Sequence, residues 1–152
     1  LVGAPHTSNW DFVMMLLIMW RGDVTPRVLI KKELFRGPLG WLLPRLGGIP
    51  LDRDNPGTVV RELVREAKSG EPFLLILAAE GTRTKGEYWK SGFYRIAVAA
   101  GVPIFPVAFD YSRKAIRFDP LFHPTGDYER DLAELQSRFR ADMALKPENY
   151  GS

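Results

Sequence analysis

Apolar residues along this chain recur with two spacings, a helical period near 3.6 and short extended runs, and the two alternate from one end to the other. Ser8 followed by Asp11 reads as a capping box opening a helix over 8–21, with Gly22 as its stop. Arg27–Lys31 reads as a short strand. Leu39, Trp41, Leu42, Leu43 and Leu46 make a short apolar segment over 38–46, after which Gly47-Gly48 turns into a strand over 49–52. Asn55-Pro56 is an N-cap followed by proline at the first helical position. Val59, Val60, Leu63, Val64 and Ala67 mark one face of the helix that follows, which ends at Gly70.

The continuous apolar run over 72–79 has strand length and the pattern of a strand covered on both faces, so it belongs in the middle of a sheet. A helix over 93–100 closes at Gly101, and 102–110 is a second buried strand whose prolines limit pairing at one end. Residues 114–118 suit a further strand. Tyr128, Leu132, Leu135, Phe139 and Met143 recur at helical spacing and predict an amphipathic closing helix. Strands alternating with helices, with no internal repeat and no low-complexity linker, predict an α/β fold. The expectation is a single domain over 1–152 with a mostly parallel or mixed sheet flanked by helices.

Composition narrows the chemistry. The 152 residues contain no cysteine, which excludes disulfide frameworks, thiolate nucleophiles and Cys-ligated metal sites. Lys and Arg number 21 against 18 Asp and Glu, a net charge of +3, which favours anionic partners such as phosphate esters or anionic lipid. That balance is too weak to indicate nucleic acid. The longest strongly apolar run, 12–20, falls well short of the ~20 residues that span a bilayer. The chain opens on Leu1 rather than Met, with residues that read as a strand end or loop, which leaves room for an upstream segment, an anchor or signal included.

The most informative stretch is Pro5-His6-Thr7-Ser8-Asn9-Trp10-Asp11. On a continuous helix a five-residue offset separates side chains by about 140°. A loop-to-helix junction at Ser8 instead lets the Asp11 carboxylate fold back towards the His6 imidazole. A carboxylate on one imidazole nitrogen fixes the tautomer and leaves the other as a general base, the His–Asp half of a hydrolase triad. No protein nucleophile accompanies the pair, so a substrate hydroxyl would take that place. In isolation the pair reads more readily as a loop histidine and a first-turn acid favoured by the helix dipole. A metal site is poor, because the other histidine, His123, has no ligand cluster around it.

Three further segments follow predicted strands. Glu80-Gly81-Thr82-Arg83 leaves the buried strand at its carboxyl end, where open α/β sheets place ligand crevices, and an arginine fork there suits phosphate oxygens. Arg53 closes Gly48-Ile49-Pro50-Leu51-Asp52-Arg53, and Lys31-Lys32-Glu33 ends the strand over 27–31. The bland readings are a polar turn, a surface ion pair of Arg53 with Asp52 or Asp54, and a solvated charged turn. Convergence of all these features on one edge of the sheet is harder to dismiss than any one alone.

Together these segments resemble the glycerolipid (lysophospholipid) acyltransferase family, whose members include 1-acylglycerol-3-phosphate acyltransferases. His6-Thr7-Ser8-Asn9-Trp10-Asp11 matches the family's H-x-S-x-x-D block, and Gly48-Ile49-Pro50-Leu51-Asp52-Arg53 is similar to its second block. Glu80-Gly81-Thr82-Arg83 matches E-G-T-R letter for letter, and Val102-Pro103-Ile104-Phe105-Pro106-Val107 matches the closing V-P-I-x-P-V. Lys32-Glu33-Leu34 and Lys90-Ser91-Gly92 are similar to two weaker elements. Four blocks in the family's order, from His6 to about Asp110, reverse the balance for His6.

The resemblance implies an O-acyltransferase in which His6 is the general base and Asp11 orients it. Arg83 would hold the acceptor's phosphate, Glu80, Gly81 and Thr82 would shape that site, and Arg53 and Lys32 would add anion contacts. It implies no metal and no cofactor, with acyl-CoA or acyl-carrier protein as co-substrate and a lysophospholipid as acceptor. Other outcomes of the same His6–Asp11 chemistry are acylation of a different acceptor such as an amino-acid lipid, or thioester hydrolysis. A non-catalytic lipid-binding module is the rival from another class. Such a substrate also implies a cytoplasmic protein peripheral to the inner face of the membrane. For 41–46 the core and interfacial readings are close, with Arg36 and Arg45 able to meet lipid phosphates; for 12–20 core is preferred. Tyr88, Trp89, Phe93 and Tyr94 are expected to divide between core and acyl or lipid contact.

Overall fold

The computed structural model describes residues 2, 3, 14, 15, 17, 21, 26–52, 57–78 and 89–145. Its strands are β1 (Val2–Gly3), β2 (Arg27–Lys31), β3 (Gly48–Leu51), β4 (Leu75–Ala78), β5 (Pro106–Asp110) and β6 (Ala115–Phe118). The helices are α1 (Gly37–Arg45), α2 (Gly57–Ala67), α3 (Gly92–Ala100) and α4 (Tyr128–Ser137), with short 3-10 turns at Lys32–Leu34 and Ala141–Met143. One six-stranded sheet runs in the order β3-β2-β4-β1-β5-β6. All neighbours pair in parallel except β5 and β6, which form an antiparallel hairpin. This is the α/β architecture that the alternating pattern predicts, with mixed pairing confined to the far edge.

Strand alternation sorts the core onto two faces. On one, Leu75 of β4 packs with Leu63 of α2 and Ile96 of α3, joined by Leu29 and Ile49. The same strands turn Val28 and Ile76 the other way, where Met15 and Phe109 meet them. A third cluster, containing Trp89, Phe93, Tyr94, Ala108, Leu135 and Phe139, joins α3 and α4 to β5. Leu75 and Ile76 of the run over 72–79 are therefore covered on opposite faces, as its unbroken apolar character requires, and β4 stands mid-sheet.

Several boundaries shift for physical reasons. Among the described residues of that run, Leu75–Ala78 pair as strand, and Leu74 still accepts from the Arg27 amide at 2.7 Å. Within 102–110, pairing begins in earnest at Pro106, and Ile104 makes an isolated antiparallel bridge to Phe122, as expected of a proline-bearing end. The helix predicted to reach Gly70 ends at Ala67, and the strand predicted over 49–52 is Gly48–Leu51. Lys114 is excluded from β6 because it takes a left-handed backbone (φ 52°) in the hairpin turn. The closing helix stops at Ser137, although Phe139 and Met143 remain buried. Met143 reaches the core from a separate 3-10 turn, whose carbonyl accepts from the Tyr111 amide at 2.9 Å.

Of the helix predicted over 8–21, the described positions Met14, Met15, Leu17 and Arg21 are helical, with Met15 buried and Leu17 exposed. The aromatics Trp89, Phe93 and Tyr94 are all core residues, with Trp89 edge-on to Phe93 at 6.1 Å and to Phe139 at 5.5 Å. Tyr88 lies outside the described residues. Among the described residues no helix is long and apolar enough to cross a membrane.

Candidate active site at the carboxyl edge of the sheet

Because β3, β2, β4 and β1 are parallel, all four end at the same edge of the sheet. Their register is tighter than a shared edge. Gly3 pairs with Ala78 and Ile30 with Pro50, while Arg27 and Val28 pair with Leu75 and Ile76. Carried forward one for one, the last pairing sets Ile30 beside Ala78. Gly3, Ala78, Ile30 and Pro50 then form one row across four strands, about 14 Å wide at ~4.8 Å per strand. The candidate segments leave from this row: His6 follows Gly3 by three residues, Glu80 follows Ala78 by two, Lys32 follows Ile30 by two and Arg53 follows Pro50 by three.

The chain runs outward from β1 through β2 to β3, then returns to β4 and passes over β1 to β5. The winding therefore reverses at β1 and β4, the place where open α/β sheets form a crevice at the strand carboxyl ends. These two strands precede the His6 and Glu80–Arg83 segments. His6, Asp11, Arg53, Glu80, Gly81, Thr82 and Arg83 themselves lie outside the described residues.

Lys32 is described. Its Nζ lies 2.5 Å from Oδ2 of Asp52, joining the carboxyl ends of β2 and β3, with both side chains partly exposed. Asp52 thus pairs with Lys32, a partner that strand-by-strand reading misses. The signal that finds it is the parallel register, since Lys31 opposite Leu51 makes 32 and 52 the next neighbours.

On the other side of β1, Asp110 ends β5 at the same edge and is 3% exposed. It accepts from Ser112 Oγ at 2.6 Å and from the Arg113 amide at 3.1 Å, with Arg113 Nη1 at 3.3 Å. The Ser112 hydrogen bond, supported by Arg113, holds its carboxyl below the usual range despite burial. Asp110 therefore acts as a clamp on the β5–β6 turn that walls this side of the edge.

Two cavities are formed by described residues, and neither is lined by Gly3, Ile30, Pro50 or Ala78 of the edge row. One, of about 480 Å³, is lined by Arg113, Arg117, Arg138 and Arg140, each already on a carboxylate. The other, of about 270 Å³, is apolar and opens between the amino-terminal approaches of β4 and β5, beside Phe73, Ile104 and Phe105. Among the described residues no group of three or more His, Cys, Asp or Glu gathers as metal ligands.

Comparison with known proteins adds to this geometry. A family profile described as Acyltransferase matches residues 1–110. The chain is 31% identical over 162 aligned positions to a 1-acyl-sn-glycerol-3-phosphate acyltransferase of Pseudomonas aeruginosa, covering 91% of this chain and 60% of that protein. It is 33% identical over 129 positions to a protein of the same name from Escherichia coli K12, covering 78% and 49%. The chain thus spans about half to three-fifths of the length of these relatives. The crystal structure of the 1-acyl-sn-glycerophosphate (LPA) acyltransferase PlsC from Thermotoga maritima superposes with a TM-score of 0.57 at 20% identity, over 90% of this chain and 62% of that one. At that identity the likeness speaks for the fold.

Proposed function

Because the chain belongs to the acyltransferase family, we propose that it moves a fatty acyl group from a thioester to the hydroxyl of a lysophospholipid such as 1-acylglycerol-3-phosphate. The observation that carries this reading is the parallel register at β1 and β4, from which the His6 and Glu80–Arg83 segments depart side by side. Three residues of extended chain reach at most ~10 Å, so both segments start within range of one crevice. The names of the relatives from Pseudomonas aeruginosa and Escherichia coli support the acceptor.

In the proposed reaction the acceptor hydroxyl gives its proton to the His6 imidazole as its oxygen attacks the thioester carbonyl. Asp11 orients the ring and balances the charge that develops on it. The carbon–sulfur bond then breaks, and the departing thiolate takes the proton back from the imidazolium. The products are a new ester and a free thiol, and no covalent acyl-enzyme is needed. Arg83 holds the acceptor phosphate through its planar fork, within a site shaped by Glu80, Gly81 and Thr82, while Lys32 and Arg53 add positive charge further along the row. The donor is acyl-CoA or acyl-carrier protein, with no separate cofactor. The protein works at the cytoplasmic face of the membrane that holds its acceptor.

Thiol release from a long-chain acyl-CoA, with and without lysophosphatidic acid, in wild type and His6→Ala tests this. Acceptor-dependent release that vanishes in the variant is the expected result. Release without acceptor would make the protein a thioesterase. No release with either acyl-CoA or acyl-carrier protein, alongside lipid binding that survives His6→Ala, would make it a binding module.

A further inference from the structure

Helix α1 buries one side chain, Leu43, and turns most of the others outward. Trp41 is 64% exposed, Leu39 46%, and Leu42 and the C-cap Leu46 40% each. At 100° per residue these four, with Pro38 and Arg45, fill one continuous arc of about 160°. Leu43 and Gly40 lie outside it. Leu34, 48% exposed in the 3-10 turn before α1, extends the apolar surface towards the carboxyl end of β2. A surface this apolar on so short a helix marks an interaction site rather than scattered exposure.

Charge identifies the occupant. The arc contains no acid and a single cation. That cation, Arg45, is folded over the tryptophan, with its guanidinium carbon 3.9 Å from the Trp41 ring centroid and Nη1 donating to the Trp41 carbonyl at 2.8 Å. Exposed Lys31 and Arg36 flank the arc, and across 26–51 the one acid is Glu33, against five basic residues. A two-fold contact between copies would set these cations against each other with no acid on the arc to answer them. An anionic leaflet offers the complement, phosphates above an apolar interior.

We infer that the exposed face of α1 docks on an anionic phospholipid bilayer, with Trp41, Leu42 and Leu46 entering the headgroup boundary and Arg36, Arg45 and Lys31 meeting lipid phosphates. The surface begins beside the edge where β2 ends, so docking brings the crevice to the lipid. This deepens the lipid-acceptor reading and rests on it for its purpose; the binding itself stands apart from turnover.

The test is co-sedimentation of the chain with vesicles of phosphatidylcholine, with and without phosphatidylglycerol. Wild type is expected to bind the anionic vesicles. The double variant Trp41→Ser, Leu42→Ser should lose about tenfold or more in partitioning, with its melting temperature unchanged because both positions are exposed. Arg45→Ala with Arg36→Ala should weaken binding to anionic vesicles only, in a salt-dependent way. Binding of the double variant equal to wild type, or no wild-type binding to either vesicle, would overturn the inference. So would a concentration-dependent dimer that the double variant abolishes. Rates on acceptor in vesicles and on a dispersed short-chain acceptor separate the two readings. The variant should lose rate on vesicles alone, whereas no turnover on either acceptor, with vesicle binding still dependent on Trp41, overturns acyl transfer and leaves this surface standing.

Discussion

The Tyr94 hydroxyl donates to the buried carboxylate of Asp131 at 2.7 Å and so ties α3 to α4 across 37 residues of sequence. Asp131 is 1% exposed and also accepts from the Thr125 amide at 2.7 Å and Thr125 Oγ1 at 2.8 Å. Burial alone would push its pKa up, but the hydrogen bonds from Tyr94 and Thr125 outweigh it and hold the carboxyl below the usual range. Burial, helped by the bond to Asp131, pushes the Tyr94 hydroxyl up.

These two shifts set opposite limbs of a pH–stability profile. The folded pKa of Asp131 is depressed, so its contribution is present above the ordinary aspartate value of about 3.9 and is lost as pH falls through the folded value. The folded pKa of Tyr94 is raised, so its contribution is present below the ordinary value of about 10 and is lost as pH rises through the folded one. Asp131→Asn should lower the melting temperature at neutral pH and flatten the acid limb, and Tyr94→Phe should flatten the alkaline limb. Thermal melts across pH check this, and an acid limb as steep in Asp131→Asn as in wild type would count against it. Asp131→Ala, which leaves two hydroxyls and an amide without their acceptor, should cost roughly 2–4 kcal/mol.

Two glycines with left-handed backbone should respond very differently to the same substitution. At Gly47 (φ +80°) a Cβ would stand 1.9 Å from the Pro26 carbonyl oxygen, where β3 enters the sheet beside β2. At Gly101 (φ +70°), the C-cap of α3, a Cβ meets nothing within 4 Å. Gly101→Ala should therefore cost only the backbone preference, about 1 kcal/mol, whereas Gly47→Ala must move backbone and should cost several times that. Urea midpoints of the two variants make the comparison directly.

Leu63 is 2% exposed at the contact of α2 with Leu75 of β4 and Ile96 of α3. Leu63→Ala should destabilise by about 2–5 kcal/mol through lost burial and an imperfectly filled cavity. Leu63 packs on Leu75 at the amino end of β4, away from the carboxyl edge, so the fraction that stays folded should keep the wild-type KM. Equilibrium unfolding paired with steady-state kinetics separates the two effects.

What the sequence made legible follows from what local patterns encode. Arg27–Lys31 and the helix closed by Gly101 were readable because β-branched residues and a left-handed cap act locally. The end of α4 was not, because periodicity reports burial and not backbone. Phe139 and Met143 keep the inward phase while Arg140 is extended (φ −137°, ψ 150°), and a backbone bond from Tyr111 in the β5–β6 turn anchors Met143 instead. The apolar 38–46 segment was ambiguous for a related reason, since composition does not say which side of a helix is covered. The Lys32–Asp52 pair became visible only with the register of β2 and β3.

That pair also supplies the sharpest test of the candidate anion contacts. Lys32 stands two strands from β1, and its ammonium already rests on Asp52. His6→Ala should therefore strike kcat, by roughly 10²–10⁴-fold if it removes the general base. Arg83→Ala should raise the KM for a phosphate-bearing acceptor while moving kcat less. Lys32→Ala should raise that KM more modestly, and Asp52→Asn should lower it, because a neutral amide no longer balances the charge of the ammonium. Both changes at this partly exposed pair should alter stability by no more than about 1 kcal/mol. KM values for lysophosphatidic acid across the four variants decide the matter: opposite shifts for Lys32→Ala and Asp52→Asn assign Lys32 to substrate. An unchanged KM in both would reduce it to a surface ion pair that staples β2 to β3.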